Sequence, residues 1–105
     1  MTPASALKRA TLSELRPTQA TVGRRQVEHE RDKWRDLDKK ARRKFLKAHL
    51  IPTVSGPRGR RYLIDNHHLA LALHEEGVEQ VFTTVVADLT NLAPPSFWRY
   101  LDNRA

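Results

Sequence analysis

The chain contains no cysteine. Disulfides, thiolate-bound zinc and every thiol mechanism are thereby excluded, and a reducing compartment is compatible with the composition. No segment approaches the roughly 20 apolar residues that a membrane helix needs. Residues 1–11 lack the apolar stretch of a secretion signal. A cytoplasmic protein without a membrane partner is the expectation. Aromatic residues are not interleaved with the basic ones, so a platform for stacking single-stranded bases is not indicated. Acidic residues are in the minority: 12 Asp and Glu stand against 19 Lys and Arg, a formal net charge of +7. That balance favours anionic partners such as nucleic acid, nucleotides, acidic proteins or an anionic membrane surface, without choosing among them. At 105 residues, 39% of them hydrophobic, the chain suits one compact domain with a modest core.

Residues 1–10 are small and polar and are expected to form a flexible tail, with a single domain over residues 11–105. Residues 11–15 resemble a short strand closed at Pro17, whose ring fixes its own φ and holds Arg16 extended. A highly charged helix is expected over residues 22–34, anchored by Val27 and Trp34. Leu37, Ala41, Phe45 and then Ala48 or His49 recur at helical spacing, with Leu46 and Leu50 beside them. Lys39, Lys40, Arg42, Arg43, Lys44 and Lys47 cover the rest of this helix, giving it a cationic outer face. Residues 51–55, a Gly56-Pro57-Arg58-Gly59 loop and residues 60–65 read as a β-hairpin. Asn66 is a favourable N-cap for a helix that runs through Glu76 and ends at Gly77. Residues 80–89, β-branched and nearly continuous, predict a central strand buried on both faces. Pro94 and Pro95 open a last short helix with Phe97, Trp98 and Leu101 as its apolar positions. There is no internal repeat. The order predicts a small single-domain α/β (α+β) fold, a mixed sheet with flanking helices.

One junction concentrates chemistry. Residues 62–64 run into Asp65-Asn66 and directly into a helix whose first turn carries His67 and His68. The start of a helix exposes unpaired N–H groups at the positive end of its dipole, where phosphates bind readily. A carboxylate and two imidazoles add groups able to move protons or hold a metal. Adjacent helical residues point about 100° apart, so one metal rarely takes both imidazoles. The plainer alternative packs one histidine inward, leaves the other at the helix cap and makes Asp65 a turn former. Arg58, Arg60 and Arg61 at the hairpin tip could grip phosphates in bidentate fashion or decorate an ordinary polar loop. The basic helix over residues 33–47 could lie along a nucleic-acid backbone or be a solvated face. His29 and His49 are isolated, whereas His74 shares roughly a face with His67. The Pro17-Thr18-Gln19 loop could set Gln19 or backbone amides beside a ligand, or simply connect two elements.

These segments together carry a family resemblance. Leu12-Ser13-Glu14-Leu15-Arg16-Pro17-Thr18-Gln19, Ile51-Pro52-Thr53-Val54, and Ile64-Asp65-Asn66-His67-His68 with Leu69-Ala70-Leu71-Ala72-Leu73 resemble the ParB/sulfiredoxin superfamily. Within it they are most similar to the ParB-like nuclease group, over roughly residues 12–89, and the Asp-x-His-His junction is the most specific element. The resemblance implies a small α/β fold whose strand-to-helix turn binds nucleotide phosphates. Members include CTP-binding chromosome-partitioning proteins, ATP-using sulfiredoxins and a free-serine kinase. The partitioning-protein signature is Asp-Gly-x-His-Arg. Asp65 and His68 match it, while Asn66 replaces the glycine and Leu69 the arginine, so the phosphate-gripping arginine is absent from its usual place and His67 or an arginine from elsewhere would have to compensate. Sulfiredoxin chemistry needs a cysteine and is excluded. Relatives in the nuclease-like group continue past the equivalent of Phe97-Trp98, which makes this chain resemble a shortened form.

The function the resemblance implies is binding of a phosphate-containing ligand, nucleotide or nucleic acid, with phosphodiester hydrolysis or phosphoryl transfer as the reaction. His68 would be the acid–base group or phosphate contact and His67 a second contact. Asp65 would orient an imidazole or hold a divalent cation such as Mg2+. Asn66, Arg58, Arg60 and Arg61 would hold phosphate and steady developing charge. The alternative is a non-catalytic DNA- or protein-binding module that uses Lys39, Lys40, Arg42, Arg43, Lys44 and Lys47 and leaves the junction structural.

Overall fold

The computed structural model describes residues 7–19 and 21–104. Its sheet is organised around Gln80–Asp88 (β5), whose Val, Thr and Phe side chains fit a pleated surface. Leu7–Thr11 (β1) lies antiparallel on one edge of β5, and Ile51–Ser55 (β3) lies parallel on the other. Arg61–Leu63 (β4) pairs antiparallel with β3, completing the expected hairpin, and the two-residue Arg16–Pro17 (β2) pairs parallel with β4. The sheet is therefore five-stranded and mixed, in the order β1-β5-β3-β4-β2. The helices are Arg24–Arg35 (α1), Lys39–Ala48 (α2), His67–Glu75 (α3) and Pro94–Arg104 (α4).

Regular structure begins earlier than the composition of residues 7–10 predicts. Those residues form most of β1, an edge strand held by its backbone, where charged Lys8 and Arg9 are no obstacle and discourage further pairing. Thr83 Oγ1 also donates to the Lys8 carbonyl at 3.0 Å. Residues 1–6 of the expected tail lie outside the described residues. The strand expected over residues 11–15 is instead a 3-10 turn, Leu12–Glu14. Leu12 and Leu15 are both buried in the same core cluster. Three residues apart, they fall on one side of such a turn but on opposite faces of a strand.

The helices follow the sequence closely. Val27 and Trp34 are the buried residues of α1. Asp38 caps α2, its carboxylate accepting from the Ala41 N–H at 2.8 Å. Helix α3 stops where expected: Gly77, at φ 81°, donates to the His74 carbonyl and Val78 donates to that of Leu73. These are the two bonds of a Schellman ending, and the left-handed backbone they require is why glycine stands there. An ion-pair lattice ties α3 to α1. Arg24 pairs with Glu28 and Glu75, and Arg31 with Glu75 at 2.9 Å and Glu76 at 2.7 Å. Arg35 adds a contact to Glu76 at 2.8 Å.

The sheet separates two clusters. One joins Leu12, Leu15, Trp34, Ile51, Leu63, Leu69, Leu73 and Val81 beneath the first three helices; the other joins Val54, Tyr62 and Phe97 beneath α4. This division corrects the expectation for β5. It has a partner on each edge, and Val81 and Thr83 are buried, but Val86 is 48% exposed. Helix α4 covers only part of the second face, so β5 is not buried on both.

Candidate functional site

Strand β4 ends at Leu63, and the chain reverses through Ile64, Asp65 and Asn66 into α3. The Ile64 N–H donates to the Pro52 carbonyl at 3.2 Å, and Asp65 Oδ1 accepts from the Asn66 N–H at 2.7 Å. Asn66 occupies the N-cap position with φ 57° and ψ 36°, the left-handed region, and its side chain makes no capping bond. The expected N-cap is thus present by position, but it works through its backbone. Asparagine is among the few residues other than glycine that tolerate this conformation. The first intrahelical bond of this turn runs from the Ala70 N–H to the Asn66 carbonyl at 3.0 Å, so the N–H groups of His67, His68 and Leu69 have no acceptor within the helix.

His67 is only 8% exposed. The Thr18 backbone N–H donates to its Nε2 at 3.3 Å, and Thr18 Oγ1, itself donating to the Leu63 carbonyl at 2.8 Å, lies 3.3 Å from the same nitrogen. A backbone N–H can only donate, so this bond requires a lone pair on Nε2 and places the ring proton on Nδ1. Burial lowers the His67 pKa below the ordinary 6.5, partly offset by the Leu63 carbonyl and the nearby Asp65 charge. The ring is therefore a neutral imidazole at pH 7.

Two clefts meet at this ring. One, of about 300 Å3, is mainly apolar, with walls from Leu12, Leu15, Pro17, Val22, Leu63 and Leu71 and polar groups from Gln19, His67 and His74. The other, of about 470 Å3, is lined by Thr18, Gln19, Asp65, His67, Trp98 and Asp102 among others. His67 and Gln19 belong to both. His74 shares the first cleft with His67, as their sequence spacing suggests. His68 is half-buried and lines neither cleft.

The arginines of the hairpin tip are not brought against His67. Arg60 and Arg61 line a separate cleft of about 820 Å3 with Arg9 and Arg16, which touches the His67 cleft only through Ser13, Leu15 and Pro17. Arg58 sits at the tip with φ 65° and lines none of these clefts. On α2, Lys39, Arg42, Arg43 and Lys47 line a fourth cleft of about 550 Å3, again with Arg9, whereas Lys40 and Lys44 do not line it. Arg42 also has a packing role: its guanidinium lies 4.9 Å from the Trp34 ring centroid and its Nε donates to the Trp34 carbonyl. Among the described residues, no three His, Asp or Glu side chains converge so as to hold a metal ion. Asp65 and Asp102 share a cleft without completing such a set.

A family model described as "Putative ParB-like nuclease" matches residues 8–105. The chain belongs to this family. The ParB-like domain is also similar to a crystal structure, that of protein Atu1540 from Agrobacterium tumefaciens, at 47% sequence identity and a TM-score of 0.82. That match covers 93% of this chain and 47% of the other, so the domain spans about half the length of the chain it resembles. No curated protein matches.

The ParB-like assignment clarifies the altered signature. Asn66 stands where the partitioning proteins carry glycine, and its φ of 57° is the conformation glycine adopts freely. Leu69, in the arginine position, is 6% exposed and belongs to the core. Sequence reasoning missed Thr18 as the partner of His67, and Arg9, Arg16, Trp98 and Asp102 as cleft residues. The Pro17-Thr18-Gln19 loop was the one usable signal, because a loop just ahead of a helix can carry a free N–H; nothing local to Arg9 or Arg16 marks them.

Proposed function

We propose that this ParB-like domain binds a phosphate-containing ligand, nucleotide or nucleic acid, at the β4–α3 junction and acts on its phosphoryl or phosphodiester group with His67 as the proton-accepting residue. The observation that carries this reading is the Thr18–His67 contact. It holds a buried neutral imidazole, with its basic nitrogen oriented, where two clefts meet. A neutral imidazole can take a proton from an attacking water or hydroxyl, and the Nε2 lone pair becomes available when Thr18 releases it. The unpaired N–H groups at the start of α3 and the positive end of its dipole suit a phosphate beside that ring. Asp65, two residues away and in the same cleft, favours the imidazolium once the proton has arrived. His68 matches the family signature yet lines no cleft, so it is the weaker candidate.

The test is a thermal-shift screen against CTP, ATP, GTP, inorganic phosphate and short DNA, repeated on His67→Gln and His68→Ala, with turnover measured for any ligand that binds. Glutamine keeps an acceptor for the Thr18 N–H but cannot titrate. Ligand stabilisation is expected in all three proteins, with turnover lost only in His67→Gln. Full turnover in His67→Gln would remove His67 from the chemistry.

A further inference from the structure

We propose that the two basic clefts form one continuous track for a nucleic-acid backbone, joined at Arg9 on the edge strand β1. Arg9 and Gln80 line both the α2 cleft and the hairpin-tip cleft, so the two basic clefts adjoin there. Eight Lys and Arg side chains line the pair, against a single carboxylate, Glu14. Among the described residues none of these eight forms an ion pair. The contrast with α1 is informative. There Arg24, Arg31 and Arg35 are neutralised by Glu28, Glu75 and Glu76, while the track keeps its charge uncompensated. A continuous row of unpaired cations attracts a polyanion and gains by releasing its counterions.

The shape selects the polyanion. Both sites are concave, and none of the exposed large apolar side chains, Val86, Trp98 and Tyr100, lines either of them. An anionic membrane surface is bound by a flat basic face with apolar groups to insert, which this track lacks. The rings nearest the track are already covered: Arg42 lies over Trp34, and the Arg9 guanidinium lies 5.6 Å from the Phe82 centroid. No free ring is offered to an unstacked base, so contact is to phosphates, independent of sequence, and suits a duplex. The hairpin-tip cleft shares Leu15 and Pro17 with the His67 cleft, so a bound duplex passes beside that ring. Duplex binding itself does not depend on His67 being reactive.

The experiment is fluorescence anisotropy of the whole chain with a labelled short duplex of arbitrary sequence, at low and at physiological salt. Arg9→Gln, Arg43→Gln/Lys47→Gln and Arg60→Gln/Arg61→Gln are compared with Arg25→Gln, an exposed α1 arginine on no cleft. Arg42 is left intact because it packs on Trp34, and circular dichroism checks that each variant is folded. Arg9→Gln is expected to weaken binding about tenfold and to lower the salt slope by about 1, with both double variants weaker still. Duplex affinity is read without any turnover, which separates this test from the catalytic one. An Arg9→Gln effect no larger than that of Arg25→Gln would overturn the track. So would loss of binding in only one of the double variants. Equal affinity for vesicles rich in phosphatidylserine, or no duplex binding at low salt, would overturn the choice of partner.

Discussion

The Thr18 backbone N–H and His67 Nε2 lie 3.3 Å apart, across 49 residues of sequence. This contact determines which of two adjacent histidines is held in a defined tautomer at a cleft wall. It also ties the segment after β2 to the first turn of α3.

Acid should undo this arrangement before it undoes the rest of the fold. The His67 pKa is lowered on folding, so as pH falls the unfolded chain takes up this proton first. The stability His67 contributes is complete above its ordinary value of 6.5 and is lost as pH falls through the lower folded value. NMR titration of the imidazole should give a midpoint below 6.5, and the melting temperature should begin to fall in the same interval. A midpoint above 6.5 would contradict a buried neutral ring.

The Thr18 hydroxyl offers a separate handle. Thr18→Val removes the 2.8 Å bond to the Leu63 carbonyl while keeping the backbone N–H and the side-chain shape. Chemical denaturation should show a loss of about 1 kcal/mol, the usual worth of one such bond. His67 should still titrate low, because its Nε2 partner is main chain.

Gly56 is required for a different reason. A Cβ there would stand 2.7 Å from Tyr62 Cε2 and 2.9 Å from Phe97 Cζ. Phe97 is fully buried and Tyr62 nearly so, and their rings pack at 4.8 Å, so neither can easily yield. Gly56→Ala is expected to cost roughly 1–3 kcal/mol by overpacking and to loosen α4, visible as a weakened near-ultraviolet signal from Trp98 and Tyr62. An unchanged unfolding curve would mean that α4 seats less tightly than this packing shows.

The lattice between α1 and α3 predicts a salt and acid response. Hydrogen bonds from Arg24 and Arg35 hold the Glu75 and Glu76 carboxyls below their ordinary 4.5, with Arg31 contributing to both. Their folded pKa values are depressed, so their contribution is present above about 4.5 and lost as pH falls below it. Glu75→Gln/Glu76→Gln should lower the melting temperature at neutral pH and low salt. The difference from wild type should shrink at high salt and at low pH. A difference independent of both would mean that α1 and α3 are held by packing alone.

Much of this fold is local chemistry and was legible in advance. The Gly77 ending of α3, the Gly-Pro hairpin tip and the Val27 and Trp34 anchors of α1 each follow from residues a few positions apart. Two expectations failed for a common reason. The backbone of β1 is held by β5, 69 to 77 residues away, and Leu12 and Leu15 turn toward a core that β3, β4 and α3 supply. A window of neighbouring residues contains neither partner.

The sequence by itself determined the composition-level exclusions, the α/β class, the Asp65–His68 junction and the excess of positive charge. Backbone preference, hydrophobic spacing and residue chemistry are all carried by the chain locally. Only the tertiary structure decided that His67 rather than His68 faces the clefts, because that depends on which way the first turn of α3 rotates against Thr18. It also decided that Arg9 joins α2 to the hairpin tip, since position 9 shares one cleft with Arg43 and another with Arg60 only when β1 closes the edge of the sheet.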